Sequence, residues 1–150
     1  MFNTILLALD GSEAAERAIP LAEDLARHDG GRIVVGHVRE LMAGRGGAQT
    51  VHADEGEVEA SIRTQATRLS ESGIETSIEI VSTVMGGPAH ALAEIATREH
   101  ADVIVAGTRG HAPVAGLLLG SVTQRLLHVA PCPVLVMPAL AKMAETTVSR

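Results

Sequence analysis

Apolar residues fall along the chain in two alternating patterns. Thr4-Ile5-Leu6-Leu7-Ala8-Leu9, Ile33-Val34-Val35 within Arg32–Val38, Val103-Ile104-Val105-Ala106 and Val134-Leu135-Val136-Met137 are nearly continuous apolar runs, as expected of strands covered on both faces. Between them the apolar residues recur at helical spacing. Ala15, Ala18, Ile19, Ala22, Leu25 and Ala26 follow Ser12, and Val58, Ile62, Ala66 and Leu69 share one face of a helix predicted over Glu57–Ser72. Ala91, Leu92, Ile95 and Ala96 mark a third helix reaching His100, and Val122 to about Val129 a fourth. Ile74–Val81 differs: it alternates apolar and polar residues, the pattern of an edge strand with one wetter face.

The breaks between these segments carry turn chemistry. Gly30-Gly31 and Gly73 stop helices, Pro88 sits in a first helical turn behind Gly86-Gly87, and Pro133 and Pro138 fence the last strand. Pro20 lies inside the first helix, where a local kink is expected. From residue 41 to residue 55 periodicity is lost among Gly44, Gly46 and Gly47, and a flexible loop is predicted. Residues 1–140 read as one domain, with 141–150 a frayed C-terminal tail. Strands alternating with helices imply right-handed crossovers and an α/β fold, a single open five-stranded parallel sheet with helices on both faces. In such sheets ligands bind at the carboxyl ends of the strands, where the winding reverses. The loops at Asp10-Gly11 and from Gly107 onward are both carboxyl-end loops.

Composition narrows the partners. The 150 residues carry a formal charge of −6 and a single aromatic, Phe2, so there is neither a basic footprint nor a stacking platform for nucleic acid. No apolar run approaches the ~18 residues of a membrane span. The start of the chain has no basic segment ahead of an apolar one, so no signal peptide is expected, and a cytoplasmic location is the default. Cys132, the one cysteine, has no partner for an internal disulfide and reads as a packed thiol. The seven histidines form no metal-type spacing, and no protein-held metal is expected. His37, in an apolar strand, reads as a satisfied core or cleft histidine, and His111 as solvated.

The stretch Gly107–Ser121 is the candidate site. Gly107 and Gly110 bracket a turn directly after a strand, and Gly120-Ser121 precedes a helix, with Ser121 read as its N-cap. Helix N-termini offer free N–H groups to anions. A Walker loop is excluded because Gly120-Ser121 has no lysine between its members and the chain's one lysine is Lys142. A dinucleotide fingerprint is excluded because Asp10-Gly11-Ser12 stands where Gly-x-Gly-x-x-Gly is needed. What is left is a lysine-free nest of backbone donors.

The pattern Gly107-Thr108-Arg109-Gly110, nine residues, then Gly120-Ser121-Val122-Thr123 resembles the ATP-binding branch of the universal stress protein family. The resemblance extends through Leu9-Asp10-Gly11-Ser12, His37-Val38, Gly87-Pro88, Ala101 to Gly107 and Ala130-Pro131-Cys132-Pro133-Val134. It implies a Rossmann-like sheet of strand order 3-2-1-4-5 and a nucleotide at the carboxyl ends of strands one and four. Ala8, Leu9, Asp10 and Val38 would receive the adenosine half, Asp10 accepting from a ribose hydroxyl and the Val38 backbone reading adenine. Gly107, Gly110, Gly120, Ser121, Val122 and Thr123 would surround the phosphates, with Arg109 the one permanent charge nearby, and Ala106 would also belong to the nucleotide-binding set. Taken alone, Asp10 reads first as a turn residue; with the glycine pattern present, the nucleotide role comes ahead. The implied ligand is ATP with Mg²⁺ carried on its phosphates, with cyclic AMP as the alternative. The implied role is a stress-response sensor; a slow ATPase or phosphotransferase and a ligand-free interaction module are the other readings. The resemblance further implies a homodimer through Val134, Leu135, Val136 and Met137, an apolar strand at a sheet edge.

Overall fold

The computed structural model describes residues 1–84, 87–108 and 119–138. In chain order the elements are β1 (Thr4–Ala8), α1 (Glu13–Asp29), β2 (Arg32–Gly44), β3 (Gly47–Thr50), α2 (Glu55–Glu71), β4 (Thr76–Thr83), α3 (Gly87–Arg98), β5 (Val103–Gly107), α4 (Ser121–Val129) and β6 (Val134–Met137). β1 is central because it is apolar throughout and can be covered on both faces. It pairs in parallel with β2, from Thr4 against Arg32 to Ala8 against Gly36, and with β5, from Ile5 against Val103 to Leu7 against Val105. β4 pairs with β2, and β6 with β5, again in parallel. The parallel sheet therefore runs β4-β2-β1-β5-β6, the expected five-strand order.

A sixth strand departs from the expectation. The segment from residue 41, predicted as a loop, continues β2 and folds back as β3 in an antiparallel hairpin, with Leu41 opposite Thr50 and Gly44 opposite Gly47. The glycines taken as loop signals surround the hairpin turn: Gly44 ends β2, Gly46 lies in the turn, and Gly47 opens β3 with φ at 110°, a conformation that costs glycine little. β3 is exposed at every position, so no burial pattern marked it in the sequence. Only residues 51–54 separate the hairpin from α2, which begins at Glu55, two residues ahead of the expected Glu57.

Alternation along the strands sorts the core into two layers. Ile5, Leu7 and Leu9 of the first strand region, with Ile33 and Val35, face α1 and α2, where Ala18, Ala22, Ile62 and Leu69 are buried. Leu6, Val34 and Ile104 face the other way, onto Leu92 and Ile95 of α3 and Leu126 of α4. α1 begins where Ser12 Oγ accepts from the Ala15 N–H at 3.2 Å and ends at Gly30, whose φ of 66° forms a left-handed cap. Pro20 lies within this unbroken helical span. β4 runs Thr76–Thr83, two residues later than predicted, and among the described residues pairs on one side only, as an edge strand does. α3 stops at Arg98, short of His100, which itself holds φ at 54°.

Candidate functional site

The carboxyl ends of β1, β2 and β5 open onto one cavity of about 260 Å³. Ala8, Leu9, Asp10, Val38, Ala106, Gly107, Gly120, Ser121, Val122 and Thr123 all line it, so ten of the twelve predicted nucleotide residues converge there from four separate parts of the chain. The other two, Arg109 and Gly110, lie outside the described residues, as do His111, Gly86 and residues 139–150. Val134 to Met137 lie well apart in sequence and form the edge strand β6, hydrogen-bonded to β5.

Each wall has a local cause. At the end of β1 the Leu9 N–H still donates to the Gly36 carbonyl at 2.9 Å, which carries the sheet one residue past the strand. Asp10 Oδ1 then accepts from the Ser12 N–H at 2.8 Å, an Asx turn that redirects the chain into α1. At the end of β5, Gly107 is required by packing. A Cβ there would sit 2.7 Å from the Ala14 carbonyl carbon and the Ala15 nitrogen, so the bare glycine lets α1 lie against the strand.

The α4 end of the cavity is built differently from the expectation. Ser121 is the first helical residue, and the N-cap is Gly120, with φ −69°, ψ 159° and no side-chain cap bond. The Gly120 N–H donates to the Thr108 carbonyl at 2.5 Å, closing the way from β5 into the helix. The first helical bond runs from Gln124 N–H to the Gly120 carbonyl at 3.0 Å, so the N–H groups of Ser121, Val122 and Thr123 have no acceptor within the helix. Ser121 and Val122 are exposed, while Thr123 is buried and donates its hydroxyl to the Gly107 carbonyl at 2.8 Å. The exposed Ser121 and a helix's positive end therefore line the cavity on this side, a setting suited to an anion.

The β2 side is acidic and contains a group that sequence reasoning missed. His37 is 3% exposed; its Nδ1 lies 2.7 Å from the Leu9 carbonyl and its Nε2 2.5 Å from Glu55 Oε1. One β-repeat and one helical turn further on, Arg39 donates through both its Nε and a terminal nitrogen to the Glu59 carboxylate. These two rungs, residues 37 and 39 on β2 against 55 and 59 on α2, fasten the helix to the strand. The Arg39 hydrogen bond holds the Glu59 carboxyl below its ordinary range and raises the arginine. At the rim, His52 Nε2 lies 3.2 Å from Glu40 Oε2, and both residues line the cavity. His37 is the satisfied cleft histidine that the apolar strand implied. Glu55 and His52 fall in the stretch predicted as a loop and Glu40 directly before it, and no periodicity could have singled them out. Pro88 and Leu92 of α3 close the apolar wall opposite.

Cys132 is partly buried, and burial together with the nearby Asp102 charge pushes its thiol up from the ordinary value. It packs beside the α3/α4 layer, away from the cavity lining. Among the described residues no helix is long and apolar enough to cross a membrane.

Comparison with known proteins agrees with this architecture. Residues 1–138 match the model of the Universal stress protein family. A universal stress protein of Thermus aquaticus, encoded in the 3′ region of a QAH/OAS sulfhydrylase, is 38% identical over 136 residues, covering 90% of this chain and 98% of the relative. A universal stress protein family structure from Burkholderia pseudomallei superposes with a TM-score of 0.70 at 29% identity, covering 92% of this chain and 97% of the other. A universal stress protein solved in complex with cAMP superposes with a TM-score of 0.62 at 25% identity, covering 91% and 97% of the two chains. Fold, strand order and sequence likeness along almost the whole length place the chain in the universal stress protein family.

Proposed function

We propose that this protein is a nucleotide-binding regulatory protein whose ligand is ATP. The observation that carries the reading is the polarity of one cavity: an acidic nucleoside-sized recess at β1 and β2, and an uncapped helix start with an exposed hydroxyl at Ser121 across from it. A nucleotide has that same polarity, hydrogen-bonding donors on base and ribose at one end and anionic phosphates at the other. Asp10, just past the end of the central strand, would accept from a ribose hydroxyl between the two ends. The phosphates would meet the N–H groups of Ser121, Val122 and Thr123, and Mg²⁺ would ride on the phosphates, since the residues at that wall are backbone donors and hydroxyls. Ligand occupancy would then be read out through a homodimer joined at β6, which among the described residues pairs only with β5 and carries Leu135 at 36% exposure.

The test is thermal unfolding with and without millimolar ATP and Mg²⁺, because a ligand that binds only the folded state raises the melting temperature. A rise that saturates with ATP supports the reading; an unchanged melting temperature sinks it. Cyclic AMP is the second reading, favoured by the related structure that contains it. Competition of cyclic AMP against labelled ATP separates the two.

A further inference from the structure

We infer that Glu55 selects the base: its outer carboxyl oxygen accepts a hydrogen bond from the exocyclic amino group of the bound nucleotide, favouring a 6-amino over a 6-oxo purine. The inference rests on the nucleotide reading of the cavity and adds to it a residue and a discrimination.

Proton bookkeeping carries it. The Leu9 carbonyl can only accept, so the His37 Nδ1 that lies 2.7 Å from it must hold a proton. Between His37 Nε2 and Glu55 Oε1, at 2.5 Å, there must then be one proton as well. Either the ring is an imidazolium facing a carboxylate, or a neutral ring accepts from a protonated Oε1. In both arrangements Oε2 bears no hydrogen and is an acceptor. No hydrogen bond reaches Oε2 from the described residues, and since no fully buried side-chain oxygen there lacks a partner, this atom is not sealed from the cavity that Glu55 lines. The residue is only 7% exposed, so a donor offered there meets little competition from water. Glu40 and His52, by contrast, are half-exposed at the rim, where water competes for their bonds.

The sheet order says which donor of the nucleotide arrives. On the proposed reading the phosphates lie at β5 and α4 and the ribose at Asp10, just past β1; the strand next to β1, about 4.8 Å further on, is β2 with His37 and Val38. Glu55 hangs from His37 on that far strand, so the base end of the ligand reaches it. A 6-amino group donates to an obligate acceptor, whereas a 6-oxo group places a second acceptor against it and leaves both unpaired.

Calorimetric titration of ATP, inosine triphosphate and 2′-deoxyATP into wild type, Glu55→Gln and Glu55→Leu tests this, with circular dichroism as a check on folding. Wild type should bind ATP at least about tenfold more tightly than inosine triphosphate. Glu55→Gln should keep that preference, because its amide can donate to His37 Nε2 and present the carbonyl oxygen to the cavity. Glu55→Leu should shrink the ATP preference at least about threefold relative to wild type, any preference left over coming from the Val38 backbone expected to read adenine. If Glu55→Leu does not fold, the His37 ring ¹⁵N resonances of wild type give the answer, shifting with ATP and not with inosine triphosphate. Equal binding of the two purines by wild type, a preference undiminished in Glu55→Leu, or the same ring shift with both ligands overturns the inference while leaving the nucleotide site standing. A change confined to 2′-deoxyATP overturns it in favour of a ribose contact. Absence of all nucleotide binding by wild type overturns the underlying reading too.

Discussion

The buried hydroxyl of Thr123 donates to the Gly107 carbonyl at 2.8 Å, so the third residue of α4 is tied to the last residue of β5. This bond sets where the helix start stands relative to the sheet, and with it the direction of the N–H groups facing the cavity. Thr123→Val keeps the shape but removes the donor, leaving a carbonyl with one partner fewer at a buried position. It should destabilise the fold by about 1–3 kcal/mol, read as a lower urea midpoint at unchanged slope. Nucleotide affinity should fall with it.

Gly107 is constrained from its other side by α1. Adding one methyl group would drive a carbon into the Ala14 and Ala15 backbone at 2.7 Å, and backbone cannot turn aside as a side chain can. Gly107→Ala should therefore cost about 1–3 kcal/mol from overpacking, measured by denaturant unfolding. Gly36→Ala is the control: its nearest neighbour is the mobile end of the Leu6 side chain at 2.9 Å, so the same methyl should cost less.

Acid should loosen α1 and α2. Glu59 is held below the ordinary carboxyl value of 4.5 by its hydrogen bond to Arg39, and Glu23 likewise by its hydrogen bond to Arg27. A depressed folded-state carboxyl contributes stability that is present above the unfolded value and lost as pH falls through the folded one. Stability should thus be flat with respect to these groups above about pH 5 and decline below about 4.5. In Glu59→Gln that decline should be shallower, as chemical denaturation at stepped pH would show.

The proposed dimer can be tested without harming the monomer. Leu135 is 36% exposed on the edge strand, so a charge there meets water in a single chain but would be buried in an antiparallel β6 pair. Leu135→Glu should run as a monomer on sizing with an unchanged circular dichroism spectrum. A dimer retained by this variant would rule out that interface.

The layers of this fold were legible in the sequence because burial on two faces writes itself as apolar runs and burial on one face as helical spacing. Thr4 to Ala8, Val103 to Gly107 and the alanine face of α1 are of this kind, and their order along the chain determined an open parallel sheet with ligands at its carboxyl ends. Gly107, Gly120 and Ser121 were legible for a related reason, since backbone shape at those points restricts the residue type. The hairpin was not legible, because β3 buries nothing and its hydrogen bonds are made by backbone common to every residue. Nor could sequence distinguish Ser121 as a cap from Ser121 as the first helical residue, a matter of one dihedral pair at Gly120. Only the tertiary structure brought Glu55 to His37, across 18 positions and through a turn that reverses the chain. A buried carboxylate has no periodicity to announce it; its partner, its burial and the cavity it faces exist only once the hairpin has closed.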